Sequence, residues 1–286
     1  MGNSNRDRVT RDLSKHQWPS PPIIQNGHAH EPDDVRRYAL SGPVSEAISG
    51  SGEMIRTDGA TIHVRQPIYP AYEVTLQPRR LDPRLIGFHD FDPHAVAPYN
   101  RLVISLIAAA ASRRIQRVLI ASAQYGDGRT SVTLNLAAAL ARARQRVLVV
   151  ESDFLRPSAL RLLGVDAEAG LAEAIVKGLM PEQALARVQP IGFDLLPTRA
   201  QVENSAELLA SPAFETMMRM LRPDYDFILY DSAPLLAAAD ASLLQFHTDA
   251  TLLVISPGRV STSQMAKAVS LLDPNVPAIQ AGVVID

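Results

Sequence analysis

From about residue 81 onward, unbroken apolar runs alternate with stretches whose apolar positions recur every three or four residues. The runs "RVLIASA" (117–123), "RVLVVES" (146–152), "FDLLPT" (193–198), "FILYDS" (227–232), "ATLLVIS" (250–256) and "AGVVID" (281–286) predict strands. Helical patterns fall at 98–112, 130–144, 157–163, 170–177, 181–187, 204–209, 211–221, 238–247 and 261–272. Strands that are apolar throughout and separated by helices predict an α/β domain with a mostly parallel sheet covered on both faces. Right-handed crossovers make such a sheet doubly wound, with ligands bound at the carboxyl ends of its strands.

The first eighty residues lack this periodicity. They hold polar runs such as "SKHQWPSPP", and more than half of the 21 prolines precede residue 100. A segment of this kind buries too little apolar surface to offset its ordering entropy. Residues 1–80 are therefore expected to be a disordered or weakly ordered extension, with a short helix near 33–48, and 81–286 the folded domain. "VRQPIYPAYEVTLQP", from Val64, reads as solvated tail or as an extended docking segment carrying Tyr69 and Tyr72.

Composition narrows the class further. A net charge of -2 argues against a general nucleic-acid binder. With no cysteine, disulfides, thiolate metal sites and a cysteine nucleophile drop out. The seven histidines are scattered and give no coherent metal site. No apolar run reaches the roughly 18 residues of a membrane span, and the polar first twenty residues hold no signal-peptide core. The chain reads as cytoplasmic.

Three segments carry candidate chemistry. "ASAQYGDGRTS" (121–131) joins a strand to a helix, the context of a phosphate-binding loop. Gly126 and Gly128 allow close backbone approach. Amides from about Asp127 through Arg129 and Thr130 to Ser131 would face an anion at the positive end of the helix. In "VLVVESDFLRP", Glu151 and Asp153 stand at i and i+2, so strand alternation directs both to one face. "FILYDSAP" ends a third strand with Asp231, where a phosphate loop takes its acidic Mg²⁺ partner. Taken singly, each is as readily a turn, a cap or a solvated strand end.

Together the segments resemble the cytoplasmic domain of the bacterial tyrosine kinases (BY-kinases) of capsule and exopolysaccharide systems, within the ParA/MinD-like P-loop ATPases. "SAQYGDGRTSVTLNLAAALA" is similar to the family's Walker A loop and helix, and "VLVVESDFLRPSALRLLG" to its Walker A′ segment. The stretch leading into Walker B, with Asn204, Ala206, Glu207, Leu208 and Leu209, matches as well, as does "AADASLLQFHTDATLLVISPGRVS" after it. The resemblance implies ATP and Mg²⁺ as cofactors and phosphorylation of tyrosines on itself and on partners. It places Mg²⁺ with Thr130, Asp153 and Asp231, the phosphates on the loop from Gly126 to Ser131, and catalysis with Arg129, Glu151 and Asp153. Arg156 faces the site or only caps the strand end. The implied partner is the cytoplasmic tail of a membrane chain-length regulator (co-polymerase) that recruits the chain to the inner face of the membrane, with a homo-oligomer as a further possibility.

Four positions depart from the family pattern. Arg129 stands where the Walker A lysine is expected, and a planar forked guanidinium does not replace a compact ammonium. Arginine bias offers a bland origin, since only three of 28 basic residues are lysine. Glu151 replaces the first Walker A′ aspartate. The helix before the loop has Ala97, Asn100 and Val103 where the family's ring-forming Glu and Arg residues belong. No tyrosine follows Tyr230, leaving Tyr38, Tyr69 and Tyr72 as surrogate substrates. The expectation is a nucleotide-binding regulator of weakened kinase activity. A fully active kinase, a ParA/MinD-like positioning ATPase and a non-catalytic scaffold remain as alternatives.

Overall fold

The computed structural model describes residues 53–55, 61–63, 67–88, 93–113, 115–276 and 278–279. The chain divides into two units, Met1–Pro67 and Ile68–Asp286. In the first, β1 (Glu53–Ile55) pairs antiparallel with β2 (Thr61–His63), Met54 opposite Ile62. The sequence reading had no strands there; its helix near 33–48 lies outside the described residues.

The second unit is built on one eight-stranded sheet. In chain order its elements are β3 (Tyr72–Thr75), α1 (Pro93–Arg113), β4 (Arg117–Ser122), α2 (Arg129–Arg142), β5 (Val147–Ser152), α3 (Ala159–Leu163), α4 (Leu171–Lys177) and α5 (Pro181–Ala184). There follow β6 (Ala186–Gln189), β7 (Phe193–Leu196), α6 (Ser205–Leu209), α7 (Pro212–Leu221), β8 (Phe227–Ser232), α8 (Asp240–Gln245), β9 (Ala250–Val254), α9 (Thr262–Ser270) and β10 (Ala278–Ile279). The strand order is β10-β9-β4-β8-β5-β7-β6-β3, with every pairing parallel except β6 against β7.

The central strands are buried on both faces, and their side chains divide by alternation. Val118 and Ile120, Val147 and Val149, and Phe227 and Leu229 join Leu106, Val132, Leu136 and Leu140 of α1 and α2 in one core layer. Leu119, Leu148, Val150, Ile228 and Tyr230 meet Phe154, Leu171, Phe214, Met217 and Leu244 in the layer on the other face. This two-sided burial explains their unbroken apolar runs.

The structure differs from the sequence reading in several places. The compact unit begins at Ile68, earlier than the boundary read at 80. Tyr72–Thr75 forms the sheet edge against β6, and Val74, Leu76 and Leu81 are buried. Residues 186–189 are β6, so the helix read over 181–187 stops short and its last two residues belong to the strand. β3 and β6, the last two strands on that side of the sheet, are four residues long, and β6 alternates buried and half-buried positions. Helix α1 starts at Pro93 rather than 98; Pro98 lies in its second turn, where a single backbone bond is lost. Its span Pro93–Ser112 is long and apolar enough to cross a membrane by length and composition. It nevertheless buries Val96, Tyr99, Leu102, Val103 and Leu106 in the core. Val103, one of the positions where the resemblance expects a ring-forming residue, is thus buried. The strand read at 281–286 lies outside the described residues.

Candidate functional site

The site forms where β4, β8 and β5, adjacent in that order, reach their carboxyl ends. The chain leaves β4 through Ala123–Gly128 and enters α2 at Arg129. Gly126 and Gly128 take φ of 89° and 81°, in the left-handed region that glycine tolerates. Gly128 is the N-cap of α2 and offers no side-chain cap. Val132 N–H donates to the Gly128 carbonyl, while the amides of Arg129, Thr130 and Ser131 find no acceptor among the described residues. A 14-residue helix thus presents free N–H groups and its positive end beside a glycine turn. This cradle fits a phosphate group. The first glycine of the usual loop spacing is absent, since Ala123 stands there, a departure that the spacing rule could have shown.

Asp127 braces the loop. Its side chain is buried and its Oδ2 accepts from Gln124 N–H at 3.1 Å. Burial raises its pKa. Ser131 is buried beneath the loop, and the Thr130 hydroxyl accepts a bond from Ser158 Oγ at 3.1 Å.

Arg129 points inward rather than to the loop's phosphate face. Its Nη2 lies 2.6 Å from Asp153 Oδ2, its Nε 3.0 Å from Asp231 Oδ1, and its Nη1 3.0 Å from Ser122 Oγ. All three ionic side chains are buried, at 6%, 3% and 1% exposure for Arg129, Asp153 and Asp231. Burial raises the pKa of Asp231, and the Arg129 charge opposes that rise. Thr133 Oγ1 sits 3.4 Å from the same Asp231 oxygen. The expected metal residues Asp153 and Asp231 do come together, but both are already paired with a cation from the protein itself. The residues present therefore fit a phosphate better than a divalent ion between these acids.

Glu151 does not join this cluster. Its Oε1 accepts from Ser158 N at 2.6 Å and Ala159 N at 2.7 Å, and its Oε2 from Thr198 N at 3.0 Å. Fully buried, it has its pKa pushed up to about 7 by desolvation, against the pull of the Ala159 and Thr198 amides. In this arrangement it ties the end of β5 to the start of α3 and the end of β7. Strand alternation does not reach Asp153, because β5 ends at Ser152.

Two arginines approach the loop from outside. The Arg156 guanidinium stacks 4.2 Å from the Tyr125 ring centroid, while its backbone N–H donates to Asp153 Oδ1. The Arg156 side chain thus lies beside the loop while its backbone amide braces Asp153. Arg259, in the turn between β9 and α9, lies so close that a Cβ on Gly126 would stand 2.7 Å from its Nη1. Gln124 Nε2 donates to the Arg259 carbonyl at 2.8 Å. Arg259 had no separate signal in the sequence beyond the family-like "SPGRVS" stretch. Of the surrogate tyrosines, Tyr69 is 67% exposed, Tyr72 donates its hydroxyl to the Ala169 carbonyl, and Tyr38 lies outside the described residues.

Comparison with known proteins agrees with this architecture. Residues 114–284 match the family model described as "ParA: NUBPL iron-transfer P-loop NTPase". Tyrosine-protein kinase YwqD of Bacillus subtilis (strain 168) is 30% identical over 170 residues, which are 59% of this chain and 72% of that protein. Tyrosine-protein kinase wzc of Salmonella typhi is 28% identical over 182 residues, 63% of this chain but only 25% of wzc. The chain thus spans about a quarter of the length of that relative. The solved kinase domain of the Escherichia coli tyrosine kinase ETK superposes with a TM-score of 0.66 at 25% identity, covering 72% of this chain and 80% of that one.

Proposed function

This chain belongs to the bacterial tyrosine kinase (BY-kinase) family of ParA-type P-loop NTPases, and on that premise we propose that it is a nucleotide-binding, kinase-like protein whose phosphoryl transfer is weakened. The family implies a nucleotide ligand with Mg²⁺. The loop from Gly126 to Ser131 would hold the phosphates through backbone amides and the α2 N-terminus. ATP, when bound, supplies the γ-phosphoryl group. The chain's own residues position it and hold the local charge.

One observation carries the weakened activity: the Arg129 guanidinium lies on Asp153 and Asp231 rather than on the phosphate face of the loop. Phosphoryl transfer rests almost wholly on positioning and charge. A cation displaced by an ångström or more costs on the order of 10²-fold in rate. The second support is Glu151, whose carboxyl is bound by three backbone amides and is turned to structure rather than to proton transfer.

The same family membership supports a role in capsule or exopolysaccharide synthesis or export. In this reading the protein works in the cytoplasm, recruited to the inner face of the membrane by the tail of a co-polymerase. Calorimetric titration with ATP, run beside transfer of labelled γ-phosphate, tests the proposal. Binding with slow transfer is the expected result. Failure to bind ATP at millimolar concentration leaves only a scaffold, and rapid labelling of its own tyrosines makes it an ordinary kinase; either overturns the reading.

A further inference from the structure

We infer that this site binds a nucleoside polyphosphate without a divalent cation, because Arg129 already serves as the counterion of the two acids that would hold one. The inference rests on the phosphate-binding reading of the loop and concerns what accompanies the nucleotide there.

A Mg²⁺ ion in a P-loop site is held through an acidic strand end and the loop hydroxyl. Here the strand-end acids Asp153 and Asp231 are bridged by one side chain, through Nη2 at 2.6 Å and Nε at 3.0 Å. Ser122 Oγ takes Nη1 at 3.0 Å and fixes the plane of the guanidinium. Lysine, with a point charge, has no fork to span two carboxylates in this way. Among the described residues no group of three or more His, Asp or Glu side chains gathers as a metal site. A divalent ion arriving between these acids would have to share them with a buried guanidinium, or expel it. Both carry positive charge, and in a buried setting their repulsion is poorly screened.

The charge of a polyphosphate is met from elsewhere. The free amides at the start of α2 supply hydrogen bonds. Two exposed arginines border the loop from separate segments, Arg156 on the Tyr125 ring and Arg259 against Gly126. Both belong to residue types suited to bidentate phosphate contact.

The test is the affinity of the full chain for ATP, measured by calorimetry in millimolar Mg²⁺ and again in excess EDTA. The inference expects dissociation constants within about threefold of each other in the two buffers. Binding that weakens by more than about tenfold in EDTA overturns it and leaves the phosphate site standing. Absence of binding in both buffers overturns the inference and the underlying reading together. Arg129→Lys, which frees the acids, is expected to make binding Mg²⁺-dependent by about tenfold. A folded Arg129→Lys protein as indifferent to EDTA as the wild type removes Arg129 as the cause and overturns the inference. The wild-type comparison decides alone if that variant does not fold.

Discussion

Arg129 at the first turn of α2 bridges Asp153, beyond the end of β5, and Asp231 near the end of β8. The three residues are far apart in the sequence but meet because β5 and β8 are neighbours and α2 starts above them. The pairing makes Arg129 a part of the fold as well as of the candidate site.

Replacing Arg129 by alanine therefore leaves two buried carboxylates without their cation. Breaking a buried ion pair from one side typically costs about 3–5 kcal/mol. Arg129→Ala is expected to lose stability in that range by denaturant unfolding. A loss below about 1 kcal/mol, the scale of an exposed pair, would mean that the bridge does not persist in solution.

Glu151 makes stability depend on pH. Its pKa stands at about 7 in the folded protein against an ordinary 4.5, with burial as the main cause. Between those values the folded state keeps a proton that the unfolded chain has released. This group's contribution is thus complete below about 4.5 and is lost as pH rises towards 7. The decline is on the order of 3 kcal/mol for a shift of this size. Burial also raises Asp194 and Asp231, which act in the same direction, whereas Asp82 and Asp226 are lowered by arginine partners and act oppositely in acid. Comparing unfolding free energies of wild type and Glu151→Gln at several pH values isolates the one group. The stability of the wild type relative to Glu151→Gln should fall steadily from pH about 5 to 7 and then level off. A difference independent of pH would show that Glu151 is ionised throughout.

Gly164 tests the docking of the segment before α1. It ends α3 with φ of 65°, and a Cβ there would stand 2.5 Å from both the Cβ and the carbonyl oxygen of Arg80. Gly178 ends α4 with φ of 63° but has no atom within 4 Å of that position. Gly178→Ala should cost about 1 kcal/mol, the left-handed penalty alone. Gly164→Ala should cost about 2–3 kcal/mol, because backbone must move as well. Equal losses in thermal unfolding would show that residues 78–80 do not pack there.

Much of this arrangement was legible in the residues. The runs at β4, β5 and β8 read as strands because both faces are buried, and their carboxyl ends pointed to the candidate site. The β3 side of the sheet was harder to read. Tyr72–Thr75 and Ala186–Gln189 are short and only partly buried, so each depends on its partner strand to be a strand at all. In the site, the sequence showed that an arginine replaces a lysine but not where its guanidinium goes. That direction depends on Asp153, Asp231 and Ser122 converging from three strand ends. Glu151 misled for a related reason: alternation along a strand holds only while the strand continues.

The most direct test of the Arg129 account is the rate of γ-phosphate transfer from ATP to a Glu–Tyr copolymer, compared between wild type and Arg129→Lys with Mg²⁺ present. A lysine frees Asp153 and Asp231 and returns a compact charge to the loop. The account predicts that the variant is faster by about tenfold or more, within the roughly 10²-fold scale of a misplaced group. A variant no faster than the wild type would contradict it.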